Sequence, residues 1–79
     1  MITVLREGPF RVVIWANDHE PAHVHVFRDG EAKINLATRE GHVELVWALG
    51  MTRSDVRAAM RLVAENRLKL LARWAELHG

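Results

Sequence analysis

The sequence predicts a small α+β domain, in which an antiparallel sheet of three to four strands packs against one long C-terminal helix. Three observations predict it. Between residues 10 and 37, β-branched and aromatic runs alternate with turn-forming residues. Asp29-Gly30 stands between two of those runs, the mark of a hairpin. From Ser54 to about His78 there is neither glycine nor proline, and apolar residues recur at helical spacing.

Residues 3–6 read as a short strand closed by Gly8-Pro9, and Phe10 to Ala16 as a second. Asn17-Asp18-His19-Glu20 is turn-like, and Pro21 pushes Glu20 towards an extended backbone. Strands at 22–27 and 31–37 flank the Asp29-Gly30 turn. Their register decides which way the histidines face, because a slip of one residue exchanges the two sides of a strand. A two-residue loop sets His23 and His25 beside Ile34 and Leu36. A three-residue loop, with Gly30 left-handed at a bulge, sets Val24 and Val26 beside Ile34 and Ala32. The second register gathers Val24, Val26, Ala32, Ile34 and Leu36 on one face, and is the one predicted. Its other face carries His23, His25, Lys33 and Asn35.

Residues 38–42 read as a turn. The run at 43–48 suits a strand or a short helical turn, and its bounding glycines, Gly41 and Gly50, favour the strand. Thr52 with Asp55 three residues on resembles a capping box, which starts a helix over about 53–77. At 100° per residue Val56, Met60, Val63, Leu70, Leu71, Trp74 and Leu77 share one face. A helix of that span is about 37 Å long, longer than such a sheet is wide. Its end therefore projects or meets a second copy, and with an exposed sheet edge this points to a homodimer.

The 79 residues make one domain. With no cysteine, disulfides, thiolate metal sites and cysteine nucleophiles are excluded. Met1 to Pro9 lacks the cationic start and long apolar run of a secretory leader. No stretch approaches the roughly 20 apolar residues of a membrane span. The expectation is a cytoplasmic protein. A net charge of +1 supplies no broad cationic field for nucleic acid, so such binding needs a local patch.

The chemistry concentrates in Asp18-His19-Glu20-Pro21-Ala22-His23-Val24-His25. Two residues apart on a strand, His23 and His25 leave the same face with Cβ atoms about 7 Å apart. That spacing suits a divalent metal, with a third ligand from His19, Asp18, Glu20, His42 or Glu44. It equally suits a general acid and base acting on a phosphodiester, with Lys33 or Arg11 holding the phosphate. The plainer alternative is structural, one imidazole bonding the turn and the other half-buried in the sheet.

Trp15 is expected on the same face, and an aromatic among Arg11, Lys33 and Asn35 is how single-stranded RNA is often held. The alternative is that it simply covers the sheet at a dimer contact. Arg67 falls near the centre of the helix's apolar face. An unpaired buried guanidinium is costly, so Arg67 should pair with a carboxylate, reach the sheet's edge, face a partner subunit or bind an anion. Trp47 and Trp74 read as core or interface anchors, and Leu71 with Trp74 should hold the helix to the sheet.

Several of these residues carry a family resemblance. Glu20-Pro21-Ala22-His23-Val24-His25-Val26, Glu31-Ala32-Lys33, Leu49-Gly50-Met51-Thr52, Glu65-Asn66-Arg67, Leu70-Leu71 and Trp74 resemble the small bacterial family numbered 4160 among the domains of unknown function. Its usual second proline is replaced by Ala22, which leaves both histidines in place. The resemblance implies no activity. Members of the family are often met beside another small protein, in an arrangement that looks like a toxin–antitoxin pair. It thus implies a binding module acting through protein contact, with RNA as a further partner class. The rival expectation is a metal-dependent or histidine-based hydrolase or nuclease centred on His23 and His25.

Overall fold

The computed structural model describes residues 1–37 and 40–79. Five strands form one antiparallel meander in the order of the chain: β1 Ile2–Glu7, β2 Phe10–Ile14, β3 His23–Arg28, β4 Gly30–Asn35 and β5 Glu44–Leu49. Two helices follow, α1 Arg53–Glu65 and α2 Arg67–His78. The α+β class stands, but the sheet has five strands instead of three to four, and two helices replace the single long one. Of the turn expected at 38–42, Thr38 and Arg39 lie outside the described residues.

The predicted register of β3 and β4 is the observed one: Val24 pairs with Ile34, Val26 with Ala32, His23 with Asn35 and His25 with Lys33. The loop that sets it is different. Asp29 takes the left-handed conformation, φ 59°, and Gly30 is already in the strand. Aspartate tolerates this region better than most side chains do. Gly30 is required for another reason. A Cβ there would stand 2.2 Å from the Leu49 carbonyl oxygen, so its absence lets β4 and the end of β5 approach.

The helix face of the sheet is the core. Val12, Ile14, Val24, Val26, Ala32, Ile34 and Leu36 pack in one cluster with Ala59, Leu62 and Val63 of α1 and with Leu70 and Trp74 of α2. Thr52 caps α1, its Oγ1 accepting from the Asp55 amide at 3.0 Å, as the sequence suggested.

The helix breaks at Asn66. Its backbone leaves helical geometry (φ −111°, ψ 16°), and its Nδ2 donates to the Leu62 carbonyl at 2.8 Å. Asparagine competes with the helix for its own backbone bonds, and here that competition wins. An unbroken helix of about 37 Å would exceed the molecule's longest dimension, 33 Å between Cα atoms. The break keeps both segments on the sheet. It also resets the apolar phase: Leu62 and Leu70 are fully packed, while Leu71 is only half-buried. No helix among the described residues is long and apolar enough to cross a membrane.

Candidate functional site

The site is built where β3 begins, against the turn that leads into it. The turn is closed by the Asp18 amide donating to the Trp15 carbonyl at 3.1 Å, and its Glu20–Pro21 bond is cis. It ends at Ala22, whose carbonyl accepts from the Leu36 amide at 2.9 Å. Asp18 is thereby held over the first residues of β3.

His23 and His25 share the sheet face opposite the core valines, as the register requires. That face is not open at their positions, which corrects the expectation: His23 is 4% exposed and His25 8%. Aromatic rings cover them. Trp74 of α2 lies 5.0 Å from the His23 ring between centroids, Trp15 meets His25 edge-on at 6.1 Å, and Trp47 of β5 lies 6.0 Å from His25.

Each imidazole is anchored through Nδ1. His23 Nδ1 donates to the Pro21 carbonyl at 2.8 Å, and His25 Nδ1 donates to the Glu31 carboxylate at 2.8 Å. A carbonyl and an ionised carboxylate only accept, so both Nδ1 atoms carry the hydrogen. Both Nε2 atoms then turn to the same oxygen, Asp18 Oδ2, at 2.9 Å from His23 and 3.5 Å from His25. These are contacts of ion-pair length without hydrogen-bond alignment, and the buried Oδ2 has no aligned donor.

The remaining predicted residues fall into two groups. Trp15 and Lys33 sit beside the histidines, both half-buried, Lys33 being the cross-strand neighbour of His25 on one side and Trp47 on the other. His19 and His42 are exposed and lie outside the cluster that Asp18, His23 and His25 form. Glu20 and Glu44 are engaged elsewhere: Glu20 accepts from the Trp74 indole at 3.4 Å, and Glu44 from the Asn35 amide at 3.4 Å. Arg67 is satisfied at the end of an inner strand and not at the sheet's edge, with Nε donating to the Leu36 carbonyl at 2.7 Å. It ties α2 to the end of β4.

Sequence reasoning missed Glu31, Trp74 and His78 as parts of this neighbourhood. The signal for Glu31 was present. With His25 opposite Lys33, a residue two earlier on β4 is its diagonal neighbour on the same face, and that residue is Glu31. His78 stacks on Trp74 at 3.7 Å and donates from Nδ1 to the Trp74 carbonyl, the contact of two residues four apart on one helix.

No curated protein and no solved structure matches the chain. One family model does, described as "Domain of unknown function (DUF4160)", and it covers residues 10–75. That span runs from β2 through the histidine-bearing strand to Trp74, and so includes every element that builds the cluster. On a match over most of its length, the chain belongs to the DUF4160 family.

Proposed function

We propose that this protein is a binding module, one member of a toxin–antitoxin-like pair, which takes a small partner protein on the free edge formed by β5. The observation that carries this reading is the apolar exposure of that strand: Leu45 is 39% exposed, Val46 44% and Leu49 67%. Strand order leaves two edges, β1 and β5. The β1 edge ends in the exposed pair Arg6 and Glu7, whereas β5 carries a single charge, Glu44, at its start. Charged residues are the usual protection of an edge, so β5 is the less guarded of the two.

Register at β4–β5 shifts between Lys33 and Ile34, leaving Val46 as the extra residue of a bulge. A bulge interrupts straight strand addition, which favours a contact made through side chains. Leu45 continues into a groove of about 370 Å³ lined by Met51, Val56, Arg53 and Arg57. An apolar segment flanked by acidic residues complements that lining. The hydrolase reading has less support, because both imidazoles are too enclosed to meet a dissolved phosphodiester.

RNA contact is the second reading. Arg6, Arg11 and Arg28 line one cleft at the hairpin end of the sheet, away from Trp15 and Lys33. Two of the three lie over phenylalanine rings, Arg11 over Phe27 and Arg28 over Phe10.

Co-expression with any small protein encoded beside it tests the proposal. A complex is expected to co-purify, to survive nuclease, and to be lost in the double variant Val46→Lys, Leu49→Lys with its fold intact. A complex unaffected by that variant overturns the β5 assignment. One dissolved by nuclease transfers the function to the arginine cleft. A lone protein that is a dimer until Val46 and Leu49 are changed makes the occupant of β5 a second copy.

A further inference from the structure

We propose that Asp18, His23 and His25 hold a first-row divalent cation of the zinc class. The argument starts from hydrogens. Because both Nδ1 atoms donate, to the Pro21 carbonyl and the Glu31 carboxylate, the Nε2 of each imidazole is the lone-pair nitrogen of its neutral form. In that form two nitrogen lone pairs and one carboxylate oxygen meet in a nearly closed space. Either a proton on one Nε2 or a metal ion at the meeting point offsets their repulsion, and the convergence of three ligand atoms suits the metal ion.

The distances suit this reading. The three ligand atoms all lie within 4.8 Å of one another, with Asp18 Oδ2 at 2.9 and 3.5 Å from the two nitrogens. Tetrahedral zinc with bonds of about 2.0–2.1 Å sets its ligand atoms roughly 3.3 Å apart, between those values. The contacts fail hydrogen-bond alignment, as expected of donors aimed at a shared point instead of at each other. The outer partners also fit. Metal-bound histidines donate their other ring N–H to a carbonyl or carboxylate, which fixes the tautomer and raises ligand basicity, and here there is one of each.

Charge agrees in sign: Asp18 and Glu31 contribute two negative charges around the imidazoles, against one positive charge from Lys33 beside His25. Two imidazoles and a carboxylate, without any thiolate, select zinc, nickel, cobalt or ferrous iron over soft copper(I). Three protein ligands leave one tetrahedral position for water. Bound there, the ion pins the turn carrying Asp18 to the start of β3. The site does not depend on the β5 edge, so either proposal can fail without the other.

The test is titration of chelator-stripped full-length protein with zinc chloride, followed by calorimetry, melting temperature and tryptophan fluorescence. The expected result is saturation at one equivalent, a rise in melting temperature, and a fluorescence change from Trp15 and Trp74. Asp18→Asn and His25→Gln should each abolish that binding, and His19→Ala should retain it. Glu31→Gln keeps all three ligands and should weaken binding about 10- to 100-fold. Circular dichroism of each metal-free variant separates lost binding from lost fold, and Asp18 lies in a turn, where substitution spares the core. No saturable binding by folded wild-type protein overturns the proposal, as does stoichiometric binding that survives Asp18→Asn.

Discussion

Strands β3 and β5 are built from similar material and have opposite fates. His23-Val24-His25-Val26 is buried on both faces, between β2 and β4, with α1 packed over the valines and Trp15, Trp47 and Trp74 around the histidines. Leu45-Val46-Trp47-Ala48-Leu49 is more apolar, yet three of its large side chains face solvent. The difference teaches that burial here follows position in the sheet and not hydrophobicity. A central strand can enclose two imidazoles because the hairpin register supplies Glu31 and the turn supplies Asp18. An edge strand has neighbours on one side only, so its apolar residues remain available.

The largest expected effect tests how far the enclosed region depends on one ring. Trp74 belongs to the core cluster, covers His23 and donates to Glu20. Trp74→Ala should cost about 3–5 kcal/mol, read by denaturant titration. For a domain whose total stability is on the order of 5 kcal/mol, that leaves little fold. A loss under about 1 kcal/mol would mean that α2 is held by Leu70 and Arg67 alone, and that the histidines are less enclosed than the comparison claims.

A smaller effect tests the seam between the two regions. Gly30 is where β4 meets the end of β5, and a methyl group there collides with backbone, which cannot move aside as a side chain can. Gly30→Ala should destabilise by about 1–3 kcal/mol, in the range of other overpacked sites. Amide exchange should rise along β5 before it rises along β3, because β5 has no second neighbour to hold it. Equal loss of protection in both strands would show that the sheet responds as one unit.

Much of this contrast was legible in the sequence, and what was not has physical causes. The register of β3 and β4 followed from requiring the valines to share a face, and it placed the histidines correctly. Their burial did not follow, since Trp74 reaches His23 only because α2 turns at Asn66. Asn66 stood in plain sight among helix formers, but asparagine is tolerated in helices often enough that its presence decides nothing without tertiary context. The strand at β5 was ambiguous because a short apolar run has no period that separates a strand from a helix turn. Arg67 was expected to find a carboxylate, the sheet's edge or a partner. It found instead the Leu36 carbonyl at the end of β4, and sequence spacing does not locate that group.

The smallest expected effect is also the most direct comparison, because it makes the same change in both strands. Valine and threonine have nearly the same shape, so exchanging them alters little but one hydroxyl. At Val24, on the core face and fully buried, the hydroxyl must find a partner among Ile34, Leu36 and the apolar face of α1. A buried polar group left unpaired costs about 1–3 kcal/mol, and Val24→Thr should lose that much. At Val46 the bulge turns the side chain outward, where water satisfies the hydroxyl. Val46→Thr should therefore change stability by less than about 0.5 kcal/mol, as surface substitutions do. Paired thermal melts read the difference. If Val46→Thr cost as much as Val24→Thr in the isolated chain, Val46 would already be covered in solution by a second copy, and dilution would then restore the difference between the two sites.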